Sequence, residues 1–72
     1  MTARQIIDMA VAYSGVTKTD LAKGMGWSPQ LLAQRVGTGK FTVDEWQQIA
    51  AVLGAKAKIG FEFEDGTFVG DK

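Results

Sequence analysis

Apolar residues recur at helical spacing four times over the first 54 positions, and then at a spacing of two. Ile6, Ala10 and Tyr13 share one face with Ile7 and Val11 beside them, which predicts a first helix over about Ala3 to Tyr13, closed by Gly15. Leu21, Ala22 and Met25 predict a second, from Lys18 to about Gly24. Gly24 costs that helix roughly 1 kcal/mol against Ala, so packing must hold it. Gly26 suits a left-handed turn position after it. Leu32 and Val36, four apart, anchor a third helix over Pro29 to Val36, followed by a loop Gly37-Thr38-Gly39-Lys40. Val43, Trp46, Ile49, Ala50 and Leu53 make the apolar stripe of a fourth helix, Val43 to Leu53, which Gly54 stops.

From there Ala55, Ala57, Ile59, Phe61 and Phe63 alternate with Lys56, Lys58, Gly60, Glu62 and Glu64. A period of two argues a half-buried strand. Asp65-Gly66 is the favoured two-residue hairpin turn, and Thr67-Phe68-Val69 returns, in a register that sets Phe63 opposite Phe68. An isolated hairpin is marginal in water, so one strand face is expected to pack on the helices. Its free edge is open to pair with a second copy.

The helix starts carry a second, independent signal. Thr2-x-x-Gln5, Thr17-x-x-Asp20 and Thr42-x-x-Glu45 each place a hydroxyl three residues before an acid or amide, the spacing of a capping box with Asp20 as a shorter variant. Ser28-Pro29 is the fourth start, a capping hydroxyl followed by proline at the first helical position. Met1 with Ile6, Val16 with Leu21, Trp27 with Leu32, and Phe41 with Trp46 have the spacing of hydrophobic staples around these caps. The expected architecture is mostly α with a C-terminal β-hairpin (α+β). Residues 1–72 form one domain, a helical bundle over 1–54 and a hairpin over 55–72.

Composition narrows the chemistry. Seventy-two residues support only a thin core. The chain has no cysteine and no histidine, which removes disulfides, thiolate metal sites and the commonest general base. No paired acid and base is visible, so the chain reads as no enzyme, and no cofactor, metal or small-molecule ligand is implied. No apolar run approaches the ~20 residues of a membrane span, and the start lacks the apolar core of a signal peptide, so no membrane partner and a cytoplasmic location are expected. Net charge is zero, yet residues 16–43 hold Lys18, Lys23, Arg35 and Lys40 against Asp20 alone. Residues 61–72 hold Glu62, Glu64, Asp65 and Asp71 against Lys72. A basic middle and an acidic tail suit a domain with one anion-facing side.

Leu21-Ala22, Met25-Gly26-Trp27, Leu32, Phe41-Thr42 and Ile49-Ala50-x-x-Leu53-Gly54 together resemble the phage-repressor (Cro-type, XRE-like) helix-turn-helix family over roughly residues 3–54. Ser28-Pro29-Gln30 with Gly39-Lys40-Phe41-Thr42, followed by a Phe/Glu hairpin closed by Asp-Gly-Thr, resembles a subgroup of small phage- or mobile-element-derived regulators. Two features depart from the pattern. Arg35 stands where the family usually has an apolar residue, with Val36 available instead after a slight rotation of the third helix, and the following loop is one residue longer than the commonest form.

The resemblance implies double-stranded DNA as partner, a bacterial or phage-encoded regulator associated with the nucleoid when bound, and a helix over 29–36 in the major groove. It implies base-edge contacts by Gln30 and Gln34, with Leu31 open to a thymine methyl or to core or dimer packing. Gln bonds adenine in a bidentate way. It implies phosphate contacts by Thr17, Lys18, Ser28, Lys40 and Thr42. Arg35 is either another phosphate contact or a cover laid over Trp27 or Phe41. Pro29 stands at a position that is often Gln, which removes one base reader. Trp27 and Trp46 read as core rather than stacking platforms, and Glu62, Glu64 and Asp65 as a solvated strand face rather than a calcium loop. One helix reads few base pairs, so a homodimer is expected, built by edge pairing of the hairpin with Ile59, Phe61, Phe63 and Phe68 as packing. The rival is a protein–protein interaction module that uses the hairpin edge and has little or no DNA affinity.

Overall fold

Each helix begins at the hydroxyl that the spacing picks out. The Oγ atoms of Thr2, Thr17, Ser28 and Thr42 accept from the backbone N–H of Gln5, Asp20, Leu31 and Glu45 at 3.1–3.2 Å. At Thr2 and Thr42 the bond is returned: the cap N–H donates to Gln5 Oε1 at 2.8 Å and to Glu45 Oε1 at 2.9 Å. Caps of this kind are each worth about 1 kcal/mol. They delimit α1 (Ala3–Ser14), α2 (Lys18–Met25), α3 (Pro29–Thr38) and α4 (Val43–Val52), followed by β1 (Ile59–Glu62) and β2 (Phe68–Asp71), in a computed structural model that describes residues 1–71. Lys72, counted above in the acidic tail, lies outside the described residues.

The core sits around α2, which packs on both α3 and α4 while α3 also meets α1. Leu21, Ala22 and Met25 of α2 are buried, facing Leu32 and Val36 of α3 and Ile49 of α4. Val11, Trp27, Phe41 and Trp46 close the sides. Gly24 lies where α2 and α4 approach closely: a Cβ there would meet the Val52 methyls at 2.6 and 2.9 Å. The glycine that weakens α2 as a helix is what lets α4 lie against it.

Several expectations are corrected. The inward residue of α1 is Ile7, with Val11 packed beside it, whereas Ile6 is 43% and Tyr13 95% exposed. Arg4, Gln5 and Asp8 share one side of this helix and the apolar arc opposite is broad, running from Met9 through Ile6 and Ala10 to Ile7 and Val11, so periodicity alone does not select which part of it meets α3. Val43 also leaves its stripe and faces solvent, as does Met1 at the first staple position. The helix α3 runs through Gly37 and Thr38 and ends at Gly39, whose φ of 67° is left-handed and whose N–H bonds back to the Arg35 carbonyl. The strand begins at Ile59, not Ala55.

The hairpin register is shifted by one residue. Phe63 N–H donates to the Thr67 carbonyl and Gly66 N–H to the Phe63 carbonyl, and Gly66 takes φ 88°. This is a three-residue turn ending in a left-handed glycine, not a two-residue turn. Asp65 Oδ1 fixes it by accepting from Thr67 N–H at 2.9 Å. Glu62 therefore pairs with Phe68, Phe61 with Val69 and Gly60 with Gly70. A one-residue shift exchanges the faces. Phe68 lands opposite to Phe61 and Phe63, close over Gly60, while Phe61 (75%), Phe63 (57%) and Val69 (58%) are exposed on the other face. Of the described strand side chains Ile59 and Phe68 are half-buried and the others exposed, so the expected packing of a whole strand face on the helices is limited to these positions. With the hairpin included, the chain extends over 42 × 23 × 19 Å.

Candidate nucleic-acid interface

Burial of Leu32 and Val36 fixes the rotation of α3. At 100° per residue, Gln30, Gln34 and Thr38 then point away from the core, and all three are exposed. Leu31 lies at the edge of this face and is 36% exposed, so its alternative reading as a core residue is not met. The two glutamines sit one turn apart, on a rigid element whose start is held by Ser28 and Pro29.

The residues expected at phosphates fall into two groups. Thr17 caps α2, and Lys18 follows it with Nζ 3.0 Å from Asp8 Oδ1. Asp8 also lies 3.9 Å from Arg4 Nε. Arg4, Lys18 and Thr19 face Pro29, Ala33 and Gly37 across a cleft of about 250 Å3 on the flank of α3. Arg4 is a cation at this flank that the sequence reading missed. Its only signal was the i,i+4 relation to Asp8, which reads as a local pair.

The second group lies where α3 ends and α4 begins. Lys40 and Thr42 are exposed there, and Thr42 is engaged as the cap of α4. Arg35 is committed inward. Its guanidinium stands 5.0 Å from the Trp27 ring centre and 5.6 Å from that of Phe41, donates to the Lys40 carbonyl at 3.2 Å, and pairs with Glu45. Of its two readings the structure shows the cover over the aromatics, with Nη2 engaged by the Lys40 carbonyl and Glu45. Phe41 continues the row, 6.4 Å from Trp27 and 5.1 Å from Trp46, which places both tryptophans in the packing of the body. Glu45 accepts from Thr42 N–H and from Arg35, and the Thr42 bond first, then Arg35, holds its carboxyl below the ordinary range against the opposing effect of desolvation.

Ser28 is exposed at the start of α3, with its Oγ occupied by Leu31 N–H. Among the hairpin residues, Ile59 and Phe68 are half-buried, while Glu62, Glu64 and Asp65 are exposed. Among the described residues no cluster of three or more acidic side chains is arranged to hold a metal ion. No helix is long and apolar enough to cross a membrane. No protein-family model, curated protein or solved structure matches the chain.

Proposed function

We propose that α2, the turn at Gly26-Trp27-Ser28 and α3 act as a repressor-like helix-turn-helix that binds double-stranded DNA in a sequence-specific way, with α3 in the major groove. The observation that carries this is the outward face of α3: Gln30 and Gln34 are exposed on a helix anchored by buried Leu32 and Val36. Each glutamine can read adenine through N6 and N7, worth ~1–3 kcal/mol of discrimination. Lys18, joined by Arg4, flanks one side of that helix, and Thr17 precedes Lys18 as the cap of α2. Lys40 and Thr42 flank its end, and Ser28 its start. Arg35 is assigned to holding α3 on α4 rather than to phosphate. The regulator acts by occupancy, as a repressor of phage or mobile-element type in the cytoplasm. Two copies on inverted half-sites about 34 Å apart supply the site length that one helix lacks.

Selection of bound duplexes from a random library, at about 0.15 M salt, tests this reading. The expected result is an enriched motif that relaxes at one position per half-site in Gln30→Ala. Absence of enrichment, with no retention at low salt, overturns it.

One observation favours a second reading. Phe61, Phe63 and Val69 form an exposed apolar face on a chain of zero net charge, as a protein-interaction module would. Lys18→Glu with Lys40→Glu separates the two, since it abolishes DNA binding under the first and leaves partner binding intact under the second.

A further inference from the structure

We infer that Asp8 is a built-in competitor of the DNA phosphates: its carboxylate occupies the two cations on the flank of α3 and so holds down the affinity of the helix-turn-helix for any duplex. The inference rests on the DNA reading above and concerns the regulation of that same surface. Asp8 lies on α1, one turn after Arg4, and α1 meets α3. Its Oδ1 stands 3.0 Å from Nζ of Lys18, the first residue of α2, and its Oδ2 stands 3.9 Å from Arg4 Nε. The carboxylate therefore touches two of the residues that wall the cleft against Pro29, Ala33 and Gly37 of α3.

The two cations are within reach of a ligand, since the side chains of Arg4 and Lys18 are 72% and 60% exposed. They are not vacant. A carboxylate oxygen and a phosphate oxygen are the same kind of partner to an ammonium or a guanidinium, an anionic acceptor. A phosphate arriving here exchanges one anion for another. Asp8 Oδ1 resists that exchange. It is closed to water, accepts no hydrogen bond of good geometry, and has the Lys18 ammonium as its counter-charge at 3.0 Å. Drawing Lys18 away leaves that oxygen unpartnered until water reaches it, which is costly for a charged acceptor.

The brake sits on one flank only. Lys40, beyond the end of α3, takes part in no ion pair among the described residues. At the other flank two cations and one carboxylate leave a net charge of one. A phosphate drawn to Lys18 or Arg4 also comes well within the screening length of about 8 Å of the Asp8 charge, and is repelled by it. Phosphates carry no sequence information, so this penalty falls equally on a cognate site and on random DNA. Asp8 thus sets the overall affinity, while Gln30 and Gln34 are left to set the preference among sequences.

The test uses the full chain and two duplexes, one of random sequence and one carrying a selected site, titrated by anisotropy across a range of salt. Asp8→Asn keeps the shape of the side chain and removes its charge. With an unchanged circular dichroism spectrum, it should bind both duplexes more tightly by a similar factor, at least about threefold per copy, and its salt slope should steepen by about 0.9 per copy. Asp8→Ser should reproduce the gain. Glu64→Gln removes the same charge from the hairpin and should change neither duplex. In a Lys18→Gln background Asp8→Asn should lose most of its gain, because the cation it releases is gone. Binding by Asp8→Asn that is unchanged or weaker, as a brace ordering Lys18 would give, overturns the inference. So does a gain that Glu64→Gln matches, or one that survives the loss of Lys18. In each of these cases the parent chain still binds and the DNA reading stands. Failure of both the parent and Asp8→Asn to retain any duplex at low salt overturns the two together.

Discussion

Gly24→Ala sets two opposing effects against each other within α2. Alanine is the better helix former by about 1 kcal/mol, and in a helix of eight residues that gain should be visible. The new methyl, however, would lie 2.6 Å from Val52 Cγ2, 2.9 Å from Cγ1 and 3.3 Å from Cβ. Two of these distances require movement. Val52 is β-branched and on a helix, so its side chain has one strongly favoured rotamer and cannot swing aside. Overpacking of this kind costs about 1–3 kcal/mol, so the clash outweighs the propensity gain and a net loss of about 1 kcal/mol is expected. For a domain of this size that lowers Tm by about 4–8 °C. The decisive assay is a double-mutant cycle by urea denaturation with Val52→Ala. Removing both Val52 methyls leaves the 3.3 Å approach, which a small shift absorbs, so Gly24→Ala should change sign and stabilise that background. A coupling of at least about 1 kcal/mol is expected from residues in direct contact. Stabilisation by Gly24→Ala in the parent chain, or equal effects in both backgrounds, would refute the close α2–α4 approach as the reason for the glycine.

Arg35→Lys keeps the charge but loses the planar group lying over Trp27 and Phe41, so it should cost about 1 kcal/mol and shift tryptophan emission to the red. Thr42→Ala removes the bond to Glu45 N–H at the start of α4 and should destabilise by about 1 kcal/mol in thermal melts. The carboxyls of Glu45, through Thr42 N–H, and of Asp65, through Thr67 N–H, are held below their ordinary values, so the stability they add is complete above about pH 4.3 and lost as pH falls through the lower folded-state values. Tm should be level from pH 7 to about 5 and fall below about 4, with part of the fall absent in Glu45→Gln.

What could be read from the sequence was what depends on a few neighbouring residues. All four caps were legible because a hydroxyl three residues before its N–H partner is a local geometry. The outward glutamines of α3 were legible because Leu32 and Val36 fix the rotation of a short helix. What failed depended on contacts distant in sequence. The burial of Ile7 rather than Ile6 is decided by α3, not by α1. The turn at Asp65-Gly66 was visible, but its length was set by the Asp65 side chain capturing Thr67 N–H, and the extra residue carried Phe68 to the other face. Arg35 looked like a departure from an apolar position. In the structure its guanidinium lies on two aromatic rings and its charge meets Glu45, which satisfies an apolar setting and an ion pair at once. Arg4 escaped notice because only the fold brings it to the flank of α3.

The charges near α3 bear on how the proposed DNA binding would work. Lys18 is shared with Asp8, and Arg35 is tied to Glu45. Arg4, Lys18 and Lys40 remain as the cations nearest the proposed contact, so one copy would neutralise about two or three phosphates and give a salt slope of only about −2 to −3. Such a copy binds weakly at physiological salt. Joining two copies makes the second contact intramolecular, and the gain reaches 10²–10⁴-fold without any new DNA contact. Phe61 belongs to the hairpin and is not on α3, so Phe61→Glu isolates this effect. Anisotropy titrations on a selected two-half-site duplex should show a loss of at least tenfold and a salt slope halved towards the single-copy value. Titrations on one half-site should show little change, since α3 and its flanking cations are untouched. An equal loss on both duplexes would mean that Phe61 acts at the DNA or through the fold. No loss on either would mean that binding does not depend on the hairpin, and the weak charge set would then have to be supplemented from elsewhere on the chain.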